Sequence, residues 1–295
     1  SMFKDTNFNQ DITLWDVSAV TNMASMFKNA ISFNQNISNW DISNVNNFTN
    51  MFYNTINLDN SSNINAYEIL SSYRNNNNFN GNSAGFTNVS LYQFTSETDL
   101  RNAVNQWIDH EADAISNYGP INTWLFSSDL KDMSELFQGE TDFNSNISNW
   151  DVSAVTNMTS MFENASSFNR DISNWDTSKV KSMESMFKDT SFNQNINTND
   201  NKWNVSAVTN MAFMFENASS FNRDISGWNT HEVKTMEHMF FNAQNFNQDI
   251  SQWDVSAVTN FTGMFRNAGN FNQDISGWDT GKVNTMQNMF NGAGN

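Results

Sequence analysis

The chain has 295 residues, with 31 acidic against 14 basic side chains (formal charge −17), one proline and no cysteine. The absent cysteine excludes disulfides and thiolate metal sites, and no apolar run is long enough to insert into a membrane. So acidic a chain is a poor partner for nucleic acid or an anionic membrane, and its Asn/Asp-rich, Cys-free composition leans toward an extracellular or cell-surface setting.

Taken in order, residues 1–58 read as the C-terminal part of a first repeat array. The phrase FNQDITLWDVSAVTNMASMFKNA starts at Phe8 and returns, little changed, from Phe33, Phe143, Phe168, Phe192, Phe221, Phe246 and Phe271. Its tryptophans (Trp15, Trp40, Trp150, Trp175, Trp203, Trp228, Trp253, Trp278) fall mostly 25 residues apart. Between Trp175 and Trp203 the phrase slips by one residue and NTNDNKW (197–203) is inserted. Met2-Phe3 aligns with the end of a copy, so Ser1 reads as a cloning scar. Both ends stop inside a copy, which predicts exposed core-type residues and head-to-tail self-association. Residues 59–94 lose the phrase and read as a closing cap and Asn/Ser-rich linker, with a short helix carrying Tyr67, Leu70 and Tyr73. Residues 95–295 read as a second array: an N-terminal cap helix (95–117), then seven repeats opened by a degenerate copy at Trp124. The cap helix is marked by the stripe Leu100, Ala103, Val104, Trp107, Ile108 and Ile115, by Ser96 with Asp99 three residues on, and by Gly119-Pro120 beyond its end.

A fixed period of this length is the signature of a solenoid. Within one unit, Val155, Met158, Met161, Phe162 and Ala165 step by threes and fours, which predicts a short helix behind Ser153 as N-cap. Phe168, Ile172 and Trp175 predict a very short strand around 171–173, with Trp175 turning the corner. Five or six buried apolar side chains at roughly 2 kcal/mol each do not offset about 1–2 kcal/mol per ordered residue. A single unit cannot stand alone, so its apolar positions are core.

The phrase FNQDISxWDVSxVTNMxxMFxNA resembles the BspA-like bacterial surface-protein repeats, also found in mycoplasma surface lipoproteins and belonging to the leucine-rich-repeat superfamily. The resemblance covers about 1–58 and 118–295. It implies an α/β repeat solenoid: a right-handed, leucine-rich-repeat-like coil with one short strand and one short helix per 25-residue unit. It also implies a non-catalytic module for surface recognition or adhesion, binding a protein or glycan on another cell or matrix. The competing expectation is a structural spacer within a larger surface protein, stiffened by calcium.

No catalytic constellation stands out. His110 sits between Asp109 and Glu111, and His231 and His238 are seven residues apart, too far for one zinc on a helix. The varying positions beside the Ile-Ser pair (Arg170, Asn174, Arg223, Gln248, Gln252 and Gln273) are the candidate ligand-binding residues. The Asn after each Phe, from Asn144 to Asn272, forms a column expected to bond turn backbone and the next Asn. Asp224, Asp249 and Asp274 stack in adjacent copies, where like charges repel. They either splay into water, accept turn N–H groups, or bridge a calcium ion. No other cofactor is indicated. Single serines flanked by Asp and Trp make an ice-binding face a weak reading.

Overall fold

The computed structural model describes residues 2–60, 63–198 and 202–294. Ser1 and the middle of the NTNDNKW insertion lie outside the described residues. The repeat is made of turns. Neither the helix expected behind Ser153 nor the strand expected at 171–173 forms. The backbone donors explain why. Met158, Ser160, Phe162 and Asn164 send their N–H groups to the carbonyls of Ser182, Glu184, Met186 and Lys188 in the next coil, at 2.7–3.1 Å. The residues between them close four-residue turns instead: Met161 to Met158, Glu163 to Ser160 and Ala165 to Phe162. A helix would keep every donor within the segment. Here half of them leave it, and the remaining turns reproduce the threes-and-fours apolar spacing that resembles a helix face. Ser160 (φ 55°) and Asn164 (φ 60°) swing the chain back between turns. Coils meet in parallel register at single bridges, Asn22↔Asn47 in the first array and Asp132↔Asn157↔Ser182↔Asn210↔Thr235↔Asn260↔Thr285 in the second. At the expected strand, the Ser173 N–H bonds the Asp171 carboxylate at 2.9 Å and makes a turn. Ser153 likewise donates to Asp151 rather than capping a helix.

Aromatic columns fill the coils. Phe137, Phe162, Phe187, Phe215, Phe240, Phe265 and Phe290 stack with centroids 5.5–5.9 Å apart. A second column from Phe143 to Phe271 runs beside it at 5.9–6.4 Å. This is wider than the roughly 4.8 Å expected of stacked strands, because offset aromatic rings set their own distance. Four buried indoles of the second array are anchored to the coil before them: Trp175, Trp228, Trp253 and Trp278 donate Nε1–H to the carbonyls of Ile147, Ile196, Ile225 and Ile250 at 3.0–3.2 Å. Trp203, which follows the insertion, is buried, and its indole N–H has no partner among the described residues.

The chain divides into two compact units, Ser1–Gln93 with His110–Leu125, and Phe94–Asp109 with Phe126–Asn295. In the first unit, helix α1 (Ile64–Tyr73) closes the last coil by supplying the bonds a further coil would have made. Tyr73 donates its hydroxyl to the Ile37 carbonyl, as a following tryptophan would. Asn63 and Asn65 bond Asn34 in place of the next Asn and Gln. Helix α2 (Gly81–Ala84) then takes the Asn50 and Phe52 N–H groups on the Ser83 and Ala84 carbonyls. Two of the ladder donors of that open edge are thereby satisfied.

The predicted cap helix is two helices. Helix α3 (Glu97–Asp109), behind strand β1 (Gln93–Phe94) and capped by Ser96, buries Leu100, Ala103, Val104 and Trp107 in the second unit. There Trp107 bonds Ser145, and Glu97 accepts the Asp132 N–H. The chain breaks at His110, and α4 (Glu111–Tyr118) belongs to the first unit. Trp124 belongs there too and bonds the Gly119 carbonyl rather than an isoleucine of a preceding coil, while the rest of the degenerate copy follows the repeat, with Met133, Glu135 and Phe137 donating to the carbonyls of Asn157, Thr159 and Met161. Strand β2 (Leu125–Phe126) follows it.

Candidate recognition face

Two columns of the turn ladder have positive φ. One holds Asn29, Asn54, Asn164, Asp189, Asn217, Asn242 and Asn267, residues that tolerate this region, with glycine at Gly139 and Gly292. Its amides run coil to coil: Asn217 to Asp189, Asn242 to Asn217 and Asn267 to Asn242, at 2.7–3.0 Å. With no helix here to cap, these asparagines bond one another in an amide ladder. The other column holds Ser25, Asn50, Ser160, Ser185, Gly263 and Asn288, but also Glu135 (φ 59°), Phe213 (φ 60°) and His238 (φ 51°). A bulky side chain at positive φ is costly, and nothing in the core requires Phe213 or His238.

They belong to one half-exposed cluster in the second unit. Lys188 lies 3.4 Å from Glu163 and 4.0 Å from Glu216, and its ammonium sits over the Phe213 ring at 5.9 Å. Phe213 meets the His238 imidazole edge-on at 5.3 Å, and that imidazole stacks on Phe241 at 5.1 Å. Arg266 covers Phe241 at 5.5 Å. The imidazole occupies the space left by Gly263, where a Cβ would lie 2.3 Å from its Cδ2. His238 Nδ1 is 3.8 Å from Glu216 Oε2, and that oxygen and Arg266 Nε are buried without hydrogen bonds. Burial raises the Glu216 carboxyl, assisted by Asp189 and Glu163 against Lys188, and burial also lowers His238. Aromatic rings, an arginine and partly desolvated charges are the composition of binding hot spots. The first unit carries its own departures on the same columns: exposed Tyr53 beneath the Lys28 ammonium at 5.2 Å, with Ile31 and Ile56 exposed two positions beyond the Asn column.

The family model described as Mycoplasma protein of unknown function, DUF285, matches residues 1–94, 98–202 and 196–295. The chain belongs to this family. Its tandem repeats are thereby a family property, and the family itself has no assigned activity. No curated protein and no solved structure matches the chain.

In this DUF285 chain the residues expected to bind ligand lie along another edge, largely engaged between coils. Arg170 and Arg223 place Nε on the carbonyls of Asn144 and Asn193 at 2.6 and 2.7 Å. Gln248 and Gln273 bond both oxygens of Asn222 and Asn247. The Asn column beneath them works as expected in part: each side-chain oxygen accepts the next Asn backbone N–H, as from Asn247 to Asn222 at 3.0 Å. Gln252 reaches only Ser251, and Asn174 is exposed. The cluster around His238 was missed because a presumed helix made its positions look like an outer helix surface. Aligning the copies exposes it, since positions 160, 185, 213, 238 and 263 read Ser, Ser, Phe, His, Gly, each immediately before a Met-Phe pair.

Asp224, Asp249 and Asp274 each accept the N–H two residues on, at 2.9 Å, so turn bonding is the arrangement that forms. Among the described residues no three His, Asp or Glu side chains are placed to hold a metal. The Ser251 backbone N–H and hydroxyl hold Asp249 below its ordinary range, and Ser276 does the same for Asp274. Asp16 and Asp41 are lowered by the hydroxyls of Ser18 and Ser43, then by their N–H groups. A carboxylate lowered by folding adds stability above its unfolded value, near 3.8, and loses it as pH falls through the lower folded value. Glu216, raised, has the opposite slope, but it is one group against this series. The melting temperature is therefore expected to fall as pH drops below about 4, with His238, lowered by burial, adding a smaller loss below its ordinary value of 6.5. A melt that rises on acidification through that window would contradict the turn assignment.

Proposed function

We propose that this chain is a non-catalytic, surface-displayed repeat module, kin to the BspA-like and leucine-rich-repeat proteins, whose stacked coils carry a recognition face for a protein or glycan. The supporting observation is the placement of Phe213 and His238 at positive φ. Most other copies put Ser, Asn or Gly there, with Glu135 a further exception, and the left-handed region costs a bulky residue about 1–2 kcal/mol. Such strain persists where function holds it. The neighbours Phe241, Arg266, Lys188 and Glu216 give that face an aromatic and charged surface that the invariant core does not need. Arg170, Asn174, Arg223 and Gln252 add a second exposed edge, where Gln248 and Gln273 serve chiefly as coil-to-coil bonds. The competing role is a spacer.

The test is the pair Phe213→Asn and His238→Asn, alone and together, followed by thermal melting and by binding to arrays of matrix proteins and glycans. Each substitution should stabilise the fold by about 1 kcal/mol. A recognition module loses its ligand as it gains stability. Variants that gain stability and keep every ligand, or a wild type that binds nothing on either array, would leave the spacer. Repeating the arrays with chelator tests a calcium contribution from Asp224, Asp249 and Asp274.

A further inference from the structure

The second array departs from its period once, between Trp175 and Trp203, which are 28 residues apart where most neighbours are 25. Beside that coil lies a cleft of about 350 Å³, lined by Thr198, Lys202, Asn204, Ser206, Gly227 and Asn229 against the Trp203 indole. Gly227, which like Gly277 stands where other copies carry Asn39, Asn149, Asn174 or Gln252 before the tryptophan, lines it without contributing a side chain.

The hydrogen-bonding inventory of this cleft is one-sided. The Asn204 side-chain oxygen accepts the Ser206 N–H at 2.9 Å. That of Asn229 accepts the His231 N–H at 3.3 Å and faces its Nδ1 at 2.8 Å. The Gly227 carbonyl takes the Thr198 hydroxyl at 2.7 Å. These acceptors are spent inside the protein. The donors are not: the amide NH₂ groups of Asn204 and Asn229 make no hydrogen bond among the described residues, and the exposed Lys202 ammonium makes no ion pair among them. Two amide donors, an ammonium and the Ser206 hydroxyl in one cleft call for a ligand that is all acceptor at one end. The volume exceeds that of a bare carboxylate, and amide and hydroxyl groups suit the hydroxyls of a sugar ring.

We propose that this cleft binds a small carboxylate-bearing sugar, with Lys202 on the carboxylate and the amides of Asn204 and Asn229 on neighbouring oxygens. The site shares no residue with the His238 face and does not depend on that reading.

Isothermal titration of the full chain with glucuronate, with glucose as the neutral arm, decides it. Glucuronate should give saturable heat and glucose none. Lys202→Ala, a surface change, should weaken glucuronate at least about tenfold, the worth of one charge-assisted bond. Gly227→Asn fills the cleft with the residue found before other tryptophans and should abolish binding, with circular dichroism reporting that the fold is kept. If Gly227→Asn does not fold, Lys202→Ala decides alone. No saturable heat with glucuronate, equal heat with glucose, or binding untouched by Lys202→Ala would each overturn the proposal.

Discussion

Replacing Phe215 by alanine is expected to cost about 3–5 kcal/mol, toward the upper end of that range for a buried aromatic. Phe215 is fully buried. It stacks on Phe221 at 3.9 Å and lies between Phe187 and Phe240 at 5.5 and 5.6 Å. The coils cannot close over the lost ring, because their separation is held by backbone bonds on both sides. Phe215 N–H meets the Met239 carbonyl at 2.9 Å, and Phe187 N–H meets that of Met214 at 2.9 Å. The cavity therefore stays, and in a stack stabilised by nearest neighbours both flanking interfaces weaken. Phe290 stands in the same column but is 47% exposed, so Phe290→Ala should cost only about 1 kcal/mol. Denaturant unfolding of the two variants measures the difference. Equal losses would mean that the aromatic column does not hold the array together.

Gly85→Ala should destabilise the first unit by about 2–4 kcal/mol, combining backbone strain with lost backbone hydrogen bonds. Gly85 has φ 109°, and a Cβ there would lie 2.3 Å from the Tyr53 backbone nitrogen and 2.7 Å from the Phe52 carbonyl carbon. Both obstacles are main chain and cannot rotate away. Relief requires α2 to lift from the last coil, which breaks the Phe52 bond to the Ala84 carbonyl and the Asn50 bond to Ser83. Gly81→Ala is the control. Its Cβ would meet only the Leu70 Cδ2 at 2.8 Å, the end of a flexible side chain, and the cost should stay near 1 kcal/mol or below. Hydrogen exchange of the Asn50 and Phe52 amides reads the cap directly. Protection that survives Gly85→Ala would show that α2 is not what satisfies that edge.

The secondary structure of the unit was the part least open to reading. Val155, Met158, Met161, Phe162 and Ala165 carry helix spacing, yet the same spacing arises from successive four-residue turns. Sequence periodicity reports which side chains share a face, not whether the intervening N–H groups bond within the segment or leave it. The positive φ at Ser160, which sends those donors outward, carries no mark in a serine. At Asn164 the residue type does hint at it. The cap helix failed for a related reason: one apolar stripe runs through Leu100 and Ile115, and only packing assigns its two halves to different units across His110.

By itself the sequence determined the coil. A 25-residue phrase with Phe, Ile, Trp, Val, Met and Phe at fixed places cannot bury those residues alone, so copies must stack, and Asn and Asp at turn positions must serve the backbone. Tertiary structure alone decided where the unrepeated chemistry gathers. Phe213, His238, Phe241 and Arg266 meet because backbone bonds between coils bring residues about 25 positions apart into adjacent rows, and that register depends on a turn geometry invisible in the apolar pattern.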